Sequence, residues 1–296
     1  MFKGFWFRYG LFCFLFLLLG LIIIKHNQII IPIDVINTYN NDKKQEIFPV
    51  YLYLYTKEEV VVPLYVEVKI DAHYEIPFYQ DEIKTDFDKE IYLRYSLLTN
   101  LANYLPQGLF SPLPKHVRLL DYYIEGDTLV LNLDKGFEEL NKANERIILT
   151  SIIYTFTSIK GINKIRILCD YKPIKFKHFN KEEFSQDDVI TNYLITGYPY
   201  REQSKYKIYY YLKKGDNYYL VPVFVYDNPN TSIEQLLKQP PNNSLETFID
   251  ADDEIFGLLG YYQYYLSLLY NGFIETSEVN EENVLKMINI YEIALN

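Results

Sequence analysis

The chain has 296 residues, 49% hydrophobic and 23% charged. That is ordinary globular composition and excludes an intrinsically disordered chain. The formal net charge is −10, and the strongest basic runs are only the pairs Lys43-Lys44 and Lys213-Lys214, so no nucleic acid is expected as a main partner.

Aromatic content is high, with 31 Tyr, 19 Phe and 1 Trp. Tyr buries a large ring but needs a partner for its hydroxyl, which suits half-buried sheet faces, interfaces and wet surfaces. Codon bias is a second source of the excess, since Ile, Asn and Lys are also frequent. Cys13 lies in an apolar run and Cys169 in an expected strand, so a disulfide framework is excluded.

Residues 1–26 read as a membrane signal anchor. No residue from Tyr9 to Ile24 is charged. Counting back to Gly4, with Arg8 reaching the interface, residues 4–24 can span a hydrocarbon core of about 30 Å. The flank Ile22 to His26 offers no small-residue cleavage site. Leu11 and Phe12 precede Cys13, so lipidation is not expected. The short tail before the anchor predicts a single-pass protein of the cell membrane with the rest of the chain extracytoplasmic.

Residues 27–48 mix apolar and polar positions without a period and read as a tether. Val50 to Val68 alternates around a break at Lys57-Glu58-Glu59 and predicts a hairpin. Pro63 cannot donate to a ladder, so it belongs at an edge or bulge. Asp86 and Asp88 offer N-caps for a helix over 88–104 with Ile91, Leu97, Leu98, Leu101 and Leu105 on one stripe. A second hairpin follows, Val117 to Tyr123 and Thr128 to Leu133. Next come a helix over 144–159 with Ile148, Leu149, Ile152, Ile153 and Phe156 inward, and a strand over 163–170. The order hairpin, helix, hairpin, helix, strand predicts an α+β unit, with two helices on one face of a mixed sheet, over residues 49–178.

After a linker over 179–205, residues 206–296 begin the pattern again. Lys207 to Val225 reproduces the opening hairpin, with Val221-Pro222-Val223 matching Val62-Pro63-Leu64. Asn280 to Leu295 parallels the helix at 144–159, so Val284, Leu285 and Ile288 fall on Ile148, Leu149 and Ile152. The second unit would then be divergent and lack the last strand, leaving an edge for another subunit to fill.

No site for chemistry emerges. His26, His73, His116 and His178 form no metal-ligand spacing. There is no GxSxG, Walker A or GxGxxG arrangement. Asp250-Ala251-Asp252-Asp253-Glu254 suggests Ca²⁺, but Gly257 is misplaced for an EF-hand loop, and capping of the following helix is simpler. The pairs Glu138-Glu139 and Glu182-Glu183 read as solvated faces. No catalytic, cofactor-binding or metal-binding residue is therefore assigned, and no cofactor. The rings Tyr51, Tyr53 and Tyr55, and Tyr209 to Tyr211, offer a glycan platform, against the simpler reading that they pack on neighbours.

The segments LPQGLFSPLPKHVRLLDYYIEGDTLVLNLDKGF (105–137) and SIIYTFTSIKGINKIRILCDYKPI (151–174), with the openings at 50–68 and 207–225, resemble the GerMN domain family of spore germination and sporulation proteins. The ordered succession carries the resemblance, which is best over residues 50–174. It implies tandem copies of a compact fold similar to the ring-building motif, with the second copy truncated. It also implies no enzymatic activity. The expected function is a membrane-anchored extracytoplasmic structural or interaction protein in sporulation or germination. Its expected partners are the membrane through residues 4–24 and other envelope or sporulation proteins, or itself. The alternative is an extracytoplasmic binding module for cell-wall glycan or peptide.

Overall fold

A computed structural model of the protein describes residues 46–70, 83–100, 106–139, 144–189, 193–195, 204–228, 230–241, 243–251, 254–274 and 281–295. The expected anchor, residues 1–26, and residues 27–45 of the expected tether lie outside them, while tether residues 46–48 belong to the first strand. Among the described residues no helix is long and apolar enough to cross a membrane.

The first unit opens with β1 (Glu46–Thr56) and β2 (Val61–Ile70), paired antiparallel with Tyr53 opposite Pro63. The turn between them is closed by the Thr56 N–H donating to Val60 O at 2.9 Å, and Glu59 takes a positive φ. Even-numbered residues Val50, Leu52, Leu54, Val62, Leu64, Val66 and Val68 face the core, as period-two alternation requires. Each aliphatic side chain buried this way contributes about 1.5–3 kcal/mol.

Helix α1 (Asp86–Asn100) starts at a cap one residue earlier than Asp86. The Asp88 N–H donates to Thr85 Oγ1, and the Thr85 N–H donates to Asp88 Oδ2 at 2.8 Å. This is a reciprocal box with Asp88 in the reaching-back position. After β3 (Leu109–Phe110) come β4 (Leu119–Glu125) and β5 (Thr128–Leu133), joined at Gly126, whose φ of 65° suits the first position of a two-residue turn. Helix α2 (Glu145–Thr157) and β6 (Lys164–Cys169) complete the sequence of elements, with β6 parallel to β5.

These elements form two sheets rather than the expected mixed sheet. The second hairpin pairs with β6, not with the first hairpin. Beyond β6, residues 172–173 (β7) and 183–184 (β8) add short pairings to it. Helix α2 lies against both β1 and β6. Phe176, Phe179 and Phe184 then wrap this end of the core, edge to face. The Glu145 carboxylate accepts from the backbone N–H groups of Lys177 and His178 at 2.9 and 2.8 Å. The segment expected as a linker over 179–205 thus begins as part of the first unit, contains β9 (Tyr193–Ile195), and has its last two residues in the strand that opens the second unit.

The second unit repeats the hairpin as β10 (Ser204–Lys214) and β11 (Asn217–Asp227), with Tyr209 opposite Pro222. It continues with α3 (Ile233–Lys238), β12 (Leu245–Glu246), α4 (Glu254–Tyr270), α5 (Glu281–Ile288) and β13 (Ile290–Leu295). The helix expected over Asn280 to Leu295 is therefore a helix and then a strand, which pairs with the first unit's hairpin rather than within the second unit. Asn289 ends the helix because its side chain is engaged elsewhere, as described below. Among the described residues the second unit has no counterpart of the sheet β4–β5–β6.

One face of each hairpin shares a single core, the second hairpin contributing Val221, Val223 and Val225 of β11. Ile208, Tyr210 and Leu212 of β10 join the cluster that holds Leu52 and Leu54. A second cluster forms on the other face of β10, where Tyr209 and Tyr211 meet Leu259, Tyr262 and Leu266 of α4 and Val284, Leu285 and Ile288 of α5.

Candidate functional site

The sequence marks two features for function: the outer edges of the Pro-containing strands and the tyrosine rows. Both hairpins close their edges in the same way. In the register Tyr53 opposite Pro63, the proline needs no donor and the Tyr53 N–H points away from β2. That N–H donates to Thr155 Oγ1 of α2 at 3.0 Å. In the second unit the Tyr209 N–H, opposite Pro222, donates to Ser267 Oγ of α4 at 3.1 Å. The structural equivalent of α2 is therefore α4, not the helix at Asn280 to Leu295, and in each unit a helix hydroxyl accepts the outward-facing amide hydrogen of the hairpin's first strand.

The other edges are closed by exchange between the units. β9, leaving the first unit, pairs in parallel with β11 at Phe224 to Tyr226. β13, ending the second unit, pairs in parallel with β2 from Tyr65 to Ile70. Each unit thus lends a strand to the other's hairpin sheet.

Asn289 joins the two hairpins where β2 runs beside β11. Its amide nitrogen donates to Pro63 O at 2.7 Å and to Leu220 O at 2.9 Å. Its Oδ1 accepts the Leu220 N–H at 2.9 Å, and its carbonyl accepts the Tyr65 N–H at 3.0 Å. The side chain is 1% exposed, so these bonds form away from water and hold the seam in one geometry. At the hairpin tips Lys214 Nζ meets Glu58 Oε2 at 2.6 Å, and this hydrogen bond holds the Glu58 carboxyl below its ordinary pKa.

The tyrosine rows do not form a flat platform. The Tyr51 ring tilts against Tyr65, Tyr53 against Tyr154, and Tyr55 against Phe110. Tyr209, Tyr210 and Tyr211 are buried. The Tyr210 hydroxyl donates to Leu236 O and that of Tyr211 to Leu259 O. Burial raises the pKa of both phenols.

Among the described residues no group of three His, Cys, Asp or Glu side chains is placed to hold a metal. His116 and His178 are exposed, and His26 and His73 lie outside the described residues. Asp250 is exposed beside Lys238, while Asp252 and Asp253 lie outside the described residues. Glu183 is paired with Arg166 rather than solvated. Cys169 is a buried free thiol against Asp134 O, and burial pushes its pKa up to about 11. Cys13 lies outside the described residues.

Comparison with known proteins fits this arrangement. The model of the Germane family, described as sporulation and spore germination, matches residues 52–175. That stretch runs from within β1 to just past β7. The tandem GerMN domains of the sporulation protein GerM from Bacillus subtilis share the fold, with a TM-score of 0.55 and 20% identity over 70% of this chain and 73% of that one. The first GerMN domain of the same protein, taken alone, matches at a TM-score of 0.37 and 19% identity over 48% of this chain and 99% of that one. No curated protein matches. The first unit, residues 52–175, thus matches the Germane family model, and the chain shares the fold of tandem GerMN domains over most of its length.

Proposed function

We propose that the chain is a membrane-anchored, extracytoplasmic protein of the cell envelope that serves sporulation or germination by binding other proteins, itself included, rather than by turning over a substrate. The match of residues 52–175 to a family described as sporulation and spore germination carries this reading. The uncharged run from Tyr9 to Ile24 supports the anchor. The resemblance of the unit to the ring-building motif supports lateral assembly. The glycan alternative loses its platform, because Tyr209 and Tyr211 are buried against α4.

The test is to follow the tagged full chain in its source cells through growth and sporulation. Its appearance at sporulation, release from membranes only by detergent, digestion by a protease added outside, and a loss of heat-resistant spores on deletion are the expected results. Constant production during growth in a soluble fraction, with normal spore yield on deletion, overturns the proposal.

A further inference from the structure

The equivalence of Thr155 and Ser267 aligns α2 with α4 residue by residue. Six, three and two positions before each anchor, and one after, lie Leu149, Ile152, Ile153 and Phe156 in α2 and Tyr261, Tyr264, Tyr265 and Leu268 in α4. In the first unit these four side chains are buried in the core that α2 shares with β6. In the second unit the counterpart of β4–β5–β6 is missing among the described residues; Leu268 still packs on the shared core and Tyr265 is half-buried, while the rest of the face is open. Tyr261 is 49% and Tyr264 38% exposed, and Phe273, just past the helix, is 63% exposed.

The composition of the face changes with its cover. The α2 stripe is aliphatic and phenyl and meets an aliphatic sheet. The α4 stripe is phenolic, with Tyr261 stacked on Tyr265 at 5.8 Å, and no residue from Ile255 to Ile274 is charged. Large rings with polar tips suit a contact that is closed in one state and wet in another. The ends of the helix are charged and opposite in sign. The acidic run from Asp250 leads into its first turn, and Lys207 Nζ lies 3.7 Å from the Tyr270 ring at its last.

We infer that the α4 face of Tyr261, Tyr264 and half-buried Tyr265, with Phe273, is where a second copy of this chain docks, α4 against α4 in antiparallel two-fold fashion. Copies carrying −10 each repel over most of their surface. An uncharged stripe lets them approach without burying an unpaired charge. Antiparallel pairing sets the Lys207 end of one helix against the acidic end of the other and opposes the helix dipoles. Each copy then supplies the cover that the first unit obtains from its own sheet. This inference rests on the self-association in the proposed function and names its surface.

The test is sedimentation of the full chain in mild non-ionic detergent, across a range of concentrations, with the double variant Tyr261→Lys and Tyr265→Lys. As a control, Tyr123→Lys changes an exposed ring on β4. The expected result is a reversible dimer whose dissociation constant rises about tenfold or more in the double variant and is unchanged in the control. Tyr264→Cys in a Cys13→Ser background should give a disulfide-linked dimer on mild oxidation. A dimer that tolerates the double variant overturns the α4 surface and leaves self-association standing. A chain that is monomeric at every concentration overturns both. A stripe whose lysines abolish binding to phospholipid vesicles while leaving the dimer intact assigns the face to a bilayer and also overturns the inference.

Discussion

The side-chain amide of Asn289 donates to the carbonyl of Pro63 at 2.7 Å, joining residues 226 positions apart in the chain. The same amide brackets Leu220 in the other hairpin. Asn289→Leu removes every one of these side-chain bonds and leaves buried backbone groups of Pro63 and Leu220 without them. The expected cost is about 2–4 kcal/mol in denaturant unfolding. Asn289→Asp should be at least as damaging, because a carboxylate cannot donate to the carbonyls of Pro63 and Leu220.

Removing residues 290–296 strips β13 from β2 and reopens its edge between Tyr65 and Ile70. Amide exchange should then accelerate at Tyr65 and along β2 in the first unit, although the deletion is in the second. Exchange rates that rise only around α4 and α5 would contradict the shared architecture.

Thr155→Val and Ser267→Ala remove the acceptors of the Tyr53 and Tyr209 amide hydrogens. Each should lower stability by about 1–2 kcal/mol. The larger effect is expected at Ser267, because the Tyr209 site is fully buried and water cannot replace the lost partner. Comparing the two unfolding curves with that of Ser267→Thr, which keeps the oxygen, checks the assignment.

Burial raises the Tyr262 phenol from 10.0 to about 12, with Tyr261 adding to the rise, and raises the Cys169 thiol from 9.0 to about 11. Both groups favour their neutral forms when folded. Their contribution is therefore complete below pH 9 and is lost as pH rises from about 9 to 12, where the unfolded chain ionises first. For Tyr262 alone this amounts to up to about 3 kcal/mol. Titration of tyrosinate absorbance should show a class of phenols that ionises only with unfolding, and the Cys169 thiol should resist alkylation until the same transition.

The hairpins and the matching prolines were legible because alternation and a missing donor are local signals. Pro63 and Pro222 mark strands whose outer side faces something other than a ladder, and the structure places β13 and Asn289 beside one and β9 beside the other. What covers those edges was not legible, because it comes from the far end of the other unit. The periodicity of Val284, Leu285 and Ile288 ran on into Ile290 and Ile293 and masked a change from period 3.6 to period 2 at Asn289. The β-branched and aromatic residues Ile290, Tyr291 and Ile293 were the available signal. The equivalence of α2 and α4 was hidden by tyrosines in α4 where α2 carries aliphatic residues. The tyrosine rows showed their spacing but not their neighbours, so packing on Tyr65, Tyr154 and Phe248 could not be told from an open platform.

The reciprocal strand exchange sets the order in which the chain can mature. During synthesis the first unit emerges complete in sequence yet short of one strand, because β13 follows every other described element of both units. Its β2 edge must be shielded until then, by a transient neighbour or a chaperone, and a ribosome stalled near Asn289 would strand both halves unfinished. A chain cut before Ile290 is therefore defective in the sheet at its beginning.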